Sequence, residues 1–229
     1  KNRIPHKLCG NSSGAVARNN LATMTKTPPS LDLPEIPHTR LTGLLDFLQA
    51  AEQLKDTLRS GTTTGGRPES TAEHSWRLAL MVLLFEPELK EVDLLKLLKL
   101  TLVHDLGEAI SGDVPAPLQT PGDDRQERER RDFLTLCEPL PGDVAGELTS
   151  LWDEYAAART VEARLAKAFD KLETMLQHVL MPRQAPSFYE FNLGYGRDRT
   201  DCSALTRQLR DEVDELTRTM MTGAGREIA

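Results

Sequence analysis

The chain has 229 residues, 39% hydrophobic and 28% charged, so it can bury a core and is not disordered throughout. Its longest apolar run, Leu78–Phe85, is far shorter than the ~20 residues a membrane-spanning helix needs. A formal net charge of −7 argues against wholesale binding of nucleic acid, and three cysteines without a CxxC pair (Cys9, Cys137, Cys202) argue against a disulfide framework or zinc ribbon.

Residues 1–38 read as an extended leader. Lys1, Arg3, Lys7, Arg18 and Lys26 precede the first acid, Asp32, and Pro5, Pro28, Pro29, Pro34 and Pro37 prevent a regular helix. Met24 is a candidate natural start, with a flexible tail and a targeting segment as the alternatives for the residues before it. Deleting residues 1–38 is expected to change stability by about 1 kcal/mol or less and to leave activity intact, since little apolar surface is available there to dock. A large loss of folding in urea titrations of the shortened chain would show that the leader packs on the core.

From Thr39 the pattern is helical, and one domain over 39–222 with a flexible tail at 223–229 is expected. Leu41, Leu44, Leu45, Leu48, Ala51 and Leu58 mark a first helix, and Gly61–Gly66 a loop. Ser70 and Glu73 form a capping box for a helix running to about Phe85. Asp93 caps Leu94–Asp105, a helix apolar on most sides and therefore expected to be central. Glycines and prolines from Gly107 to Gly122 make an irregular connection, and further helices are expected over Asp124–Leu136, Val144–Ala158, Thr160–Leu180 and Asp201–Met221. No stretch alternates with period two. The fold class is all-α.

Of the five histidines, His104 stands next to Asp105 at the mouth of an apolar helix. Burying such a pair is costly without compensation, which either hydrogen bonds or a metal ion can supply. His74, with Leu78 and Met81 at i+4 and i+7, points inward as well. Asp170 lies on a helical stripe with Ala163, Ala166, Thr174 and Gln177, which leaves space around the carboxylate; a surface ion pair with Lys167 or Lys171 is the alternative.

In this order, His74, His104-Asp105 and Asp170 resemble the HD domain superfamily of metal-dependent phosphohydrolases. Within it, Pro68–Arg77, Leu102–Asp113 and Lys167–Glu173 are similar to the 5′-deoxynucleotidase branch. The resemblance covers roughly Leu41 to Leu180. It implies a helical bundle, one divalent metal ion (Mn, Co, Mg or Zn) held by His74, His104, Asp105 and Asp170, and hydrolysis of a nucleoside 5′-monophosphate. Two-metal relatives use extra histidines between the His-Asp pair and the last Asp; here none occurs from Asp105 to Gln177, which favours one metal.

Glu108 and Asp113 lie within nine residues of the proposed ligands and are candidate catalytic carboxylates, able to activate water and supply a proton; helix capping and turn formation are the plainer roles for such residues. The family's matching positions are catalytic carboxylates. Arg59 stands where the family has a substrate-binding Arg, and Arg77 is a second candidate that could instead brace two helices. The Trp that often follows the family's Arg is replaced by Ser60. Asp123–Asp132 reads as a solvated helix face, Trp152 and Tyr155 as packing residues, and Phe188–Phe191 with Gly194–Gly196 as a candidate lid. A cytoplasmic enzyme acting on a small nucleotide is expected, without nucleic acid or membrane partners and with a homodimer left open. A cyclic-nucleotide or alarmone phosphodiesterase and a metal-stabilised scaffold remain alternatives.

Overall fold

The computed structural model describes residues 31–118, 122 and 124–223. Most of the leader, Pro121, Asp123 and the last six residues lie outside that range, and with them the expectations placed there. Residues 31–35 hold no helix or strand, and the described residues from Ile36 onward form one compact unit.

The described residues are mainly helical. In chain order the helices are α1 (His38–Ala51), α2 (Thr71–Leu84), α3 (Leu94–Val103), α4 (Glu108–Ser111), α5 (Arg125–Cys137) and α6 (Gly142–Ala157). They continue as α7 (Val161–Leu180), α8 (Pro186–Gly194), α9 (Arg197–Thr200) and α10 (Ala204–Thr222). None is long and apolar enough to cross a membrane.

Local chemistry sets several boundaries. The Ser70 hydroxyl accepts from the Glu73 amide while the Glu73 carboxylate accepts from the Ser70 amide, which starts α2 where the sequence places it. The Thr160 hydroxyl accepts from the Ala163 amide and starts α7. Ser203 and Thr206 form the corresponding pair for α10, so that helix begins at Ala204 and not at Asp201.

Further departures from the sequence expectations concern a sheet, the central helix and two helices, α4 lying within the stretch expected to be irregular. A two-stranded antiparallel sheet exists: β1 (Leu58–Thr62) pairs with β2 (Pro68–Ser70), with an irregularity between the Leu58–Ser70 and Thr62–Pro68 partners. These strands are short and polar, and so carry no alternation to read. Arg59 therefore sits on β1, not at the end of the first helix. The second correction is the central helix, which is α7. It buries thirteen of its twenty residues, whereas α3 leaves Leu95 and Leu102 more than half exposed. Third, α8 begins at Pro186, in the first-turn position where a missing N–H costs nothing.

The core joins α2, α3, α5, α6 and α7 through Leu78, Val82, Leu97, Leu100, Phe133, Trp152 and Phe169. Gly107 lets α4 approach α5: a Cβ there would stand 2.5 Å from the backbone oxygen of Glu129. Gly107→Ala is expected to cost about 1–3 kcal/mol in urea unfolding, because two backbones must separate. An unchanged midpoint would refute the close approach. At the other end of α4, Gly112 adopts φ 81°, a conformation open to glycine, and turns the chain into Asp113.

Arg210 ties α10 to α8. Buried itself, it donates to the carbonyls of Asn192 (3.2 Å), Leu193 (2.8 Å) and Tyr195 (2.6 Å) and pairs with the buried Asp214 at 2.7 Å. Arg210 thus adds a donor at the C-terminal end of α8, where Leu193 O also accepts from Arg197 at 2.7 Å.

Candidate metal centre

The first turn of α2, the end of α3 and the middle of α7 bring His74, His104 and Asp170 together. One donor atom from each lies within 4.8 Å of the others, and all three residues are buried. His104 Nδ1 donates to the carbonyl of Thr101 at 2.9 Å, and His74 Nδ1 is hydrogen-bonded to the Glu173 carboxylate. A carbonyl only accepts, so His104 Nδ1 carries a proton and Nε2 is the nitrogen turned to the cluster. Both Nε2 atoms are buried and face carboxylate oxygens: His104 Nε2 lies 3.0 Å from Asp105 Oδ2 and His74 Nε2 lies 3.4 Å from Asp170 Oδ1. Two inward nitrogens oriented from behind by a carbonyl and a carboxylate, beside a carboxylate oxygen, fit a divalent cation.

Asp105 lies against both imidazoles, its Oδ2 3.0 Å from His104 Nε2 and 3.8 Å from His74 Nε2. Asp170 is held on its other side, where Oδ2 accepts from the Tyr155 hydroxyl at 2.8 Å and pairs with Lys171 at 3.0 Å. The charges reflect the crowding. Burial opposes ionisation of Asp170, yet Lys171 and the two imidazoles hold it well below the usual carboxylate range. Asp105 is depressed too, against its burial, by His104, His74 and Arg59. Burial and Arg59 press the His74 imidazolium downward, but Glu173 and Asp170 outweigh them and raise it to about 9. The cluster draws positive charge inward.

A cavity of about 300 Å³ opens onto this cluster, at the lower end of the range for small-molecule sites. Glu108 and Asp113 line it, as does Arg59. Burial first, then the charges of Asp105 and Asp113, push the Glu108 carboxyl up to about 9; its Oε2 accepts from the Thr71 hydroxyl at 3.0 Å. Asp113 is also raised, chiefly by burial. Arg59 lies 3.5 Å from Asp105, 3.8 Å from Glu69 and 3.1 Å from the Thr174 hydroxyl, which fixes its guanidinium at the cavity wall.

Arg77 behaves differently. Its guanidinium donates to the Glu173 carboxylate, the Glu173 carbonyl and Gln177, bracing α2 against α7 outside the cavity lining. These contacts are those of the bracing alternative.

Several site residues escape sequence reasoning. Tyr155 is not just a packing residue: its ring lies 5.0 Å from that of His104 and its hydroxyl holds Asp170. Glu173 orients His74, and only its place three residues after Asp170 hinted at it. Lys167, Lys171 and His178 line the cavity, as do Arg125, Gln126 and Glu129 from the stretch expected to be a solvated face. Phe188, Phe191 and Tyr195 form an aromatic wall; Phe188 and Phe191 belong to a helix, and Phe188 packs against His178 at 4.8 Å. Burial lowers the His178 pKa, and its Nδ1 is hydrogen-bonded to Asn192 Oδ1 at 2.7 Å.

A helical scaffold that buries two histidines and a carboxylate behind an acidic and basic cavity defines a metal-dependent hydrolase. Comparison with known proteins agrees. A family model described as HD domain matches residues 51–209, and the chain belongs to this family. It is 35% identical over 145 residues to a Dictyostelium discoideum protein named 5′-deoxynucleotidase HDDC2, covering 60% of this chain and 76% of the relative. To the human protein of the same name it is 34% identical over 136 residues, covering 58% and 66% respectively. The fold is similar to a solved structure from Magnetospirillum magnetotacticum MS-1, called a predicted metal-dependent phosphohydrolase. The TM-score is 0.66 at 28% identity, covering 81% of this chain and 97% of that one.

Proposed function

We propose that this protein hydrolyses the phosphomonoester of deoxynucleoside 5′-monophosphates at one divalent metal ion held by His74, His104, Asp105 and Asp170. The observation that carries this reading is the convergence of two buried Nε2 atoms with the carboxylates of Asp105 and Asp170, at the cavity that Glu108 and Asp113 also line. A divalent cation there would polarise the phosphoryl group, lower the pKa of water and favour the ionised form of Glu108.

The chain's own groups supply the rest. Glu108 orients the attacking water and takes its proton, a task suited to a carboxyl whose proton affinity is raised by burial. Asp113, brought in by the turn at Gly112, assists the departing 5′-oxygen. Arg59, held by Asp105, Glu69 and Thr174, offers a fixed charge to the phosphate. The wall of Phe188, Phe191 and Tyr195 takes the nucleoside, in place of the Trp that Ser60 replaces. The names of the relatives support the substrate class.

The test is a phosphate-release screen over deoxy- and ribonucleoside monophosphates, cyclic nucleotides and pyrophosphorylated nucleotides, each with Mn, Co, Mg and Zn. Turnover confined to 5′-monophosphates is expected, and turnover of diesters alone would replace this reading.

A further inference from the structure

We propose that Lys167 is a phosphate-binding residue of this cavity, donating its ammonium to the phosphoryl oxygens of the substrate and to the inorganic phosphate produced. This deepens the function proposed above and rests on it for the identity of the substrate.

The cations around the cavity are not equivalent. Arg59 faces Asp105 and Glu69, Lys171 is paired with Asp170 at 3.0 Å, and Arg199 is paired with Asp198 at 3.0 Å on a half-exposed side chain. Lys167 lines the same cavity, half-buried, yet has no carboxylate at ion-pair distance among the described residues. Its Nζ instead stands 3.9 Å over the ring of Tyr155, whose hydroxyl holds Asp170. Lys167 lies one turn before Asp170 on α7, so both side chains project from one face of that helix.

An ammonium withdrawn from water and facing only an aromatic ring is poorly compensated. Burial accordingly lowers the Lys167 pKa to about 8, which still leaves it mostly protonated at neutral pH. A dianionic phosphate seated beside Asp170 would supply the missing counter-charge. The carboxylate pairs of Lys171 and Arg59 leave those cations less free to do so.

The test uses the full chain loaded with metal and inorganic phosphate as the probe. Calorimetric titration with phosphate measures binding without turnover, while KM and kcat are measured with a deoxynucleoside monophosphate. Charge-assisted hydrogen bonds of this kind set the scale, so Lys167→Met is expected to weaken phosphate binding and raise KM by roughly 10- to 100-fold, with metal content and melting temperature retained. Lys167→Arg should recover most of the phosphate affinity. Parental phosphate affinity in a metal-loaded Lys167→Met overturns the assignment. So does loss of the metal in that variant, which would make Lys167 a support of the metal centre. Absence of nucleotide hydrolysis by the parent would instead refute the proposed function, and the phosphate titration would still decide the role of Lys167.

Discussion

His104→Ala should leave the chain folded but strip it of tightly held metal, with affinity falling at least ~100-fold and activity lost with it. The expectation follows from geometry: the Nε2 atoms of His74 and His104 are buried and converge with Asp105 and Asp170 on one point. Removing an outer residue that merely orients a ligand already costs 10- to 100-fold, so a ligand itself should cost at least as much. His74→Ala and Asp170→Ala should behave alike. Glu173→Gln, which keeps the shape but weakens the bond to His74 Nδ1, should fall in the intermediate range. Elemental analysis after dialysis reads the stoichiometry, and the metal-induced rise in melting temperature reads the affinity. Two tightly bound ions per parental chain, or full occupancy in the His104 variant, would refute the site.

The second large effect separates chemistry from metal holding. Glu108→Ala is expected to keep its metal and its substrate affinity while kcat falls by at least ~10², the range for losing a general base. Asp113→Ala should fall similarly on nucleotides but recover partly with p-nitrophenyl phosphate, whose leaving oxygen needs no proton. Single-turnover measurements with both substrates make the comparison free of product release. Metal loss in Glu108→Ala would turn Glu108 into a ligand, and parental turnover in both variants would remove the hydrolytic role from this cavity.

The candidate ligands were legible because each lies on, or directly after, a helix whose apolar period shows which way it points. His74 follows a capping box, His104 closes an apolar run, and Asp170 shares a stripe with small residues. What the sequence concealed is long-range. α7 buries Asp170 and Glu173, whose charges suggest a surface helix until their partners on α2 and α6 are placed beside them. Tyr155 and Glu129 read as packing and solvent residues because nothing local shows that α6 and α5 turn those faces to the cavity. Arg59 was found by its motif, yet its strand was invisible: β1 is short and polar and is stabilised by one partner strand.

The clamp made by Arg210 separates two kinds of evolutionary change. The segment that carries Phe188, Phe191 and Tyr195 is fastened from behind through the backbone carbonyls of Asn192, Leu193 and Tyr195, which do not depend on the side chains of the wall. The candidate metal donors reside on other elements, in α2 and α7 and at the end of α3. If the wall takes the nucleoside as proposed, substitutions there are expected to change the preferred base while leaving the candidate metal centre in place. Arg210 has no such freedom. Its single guanidinium serves three carbonyls and Asp214, so a lysine there would leave acceptors unserved and release the wall as a unit.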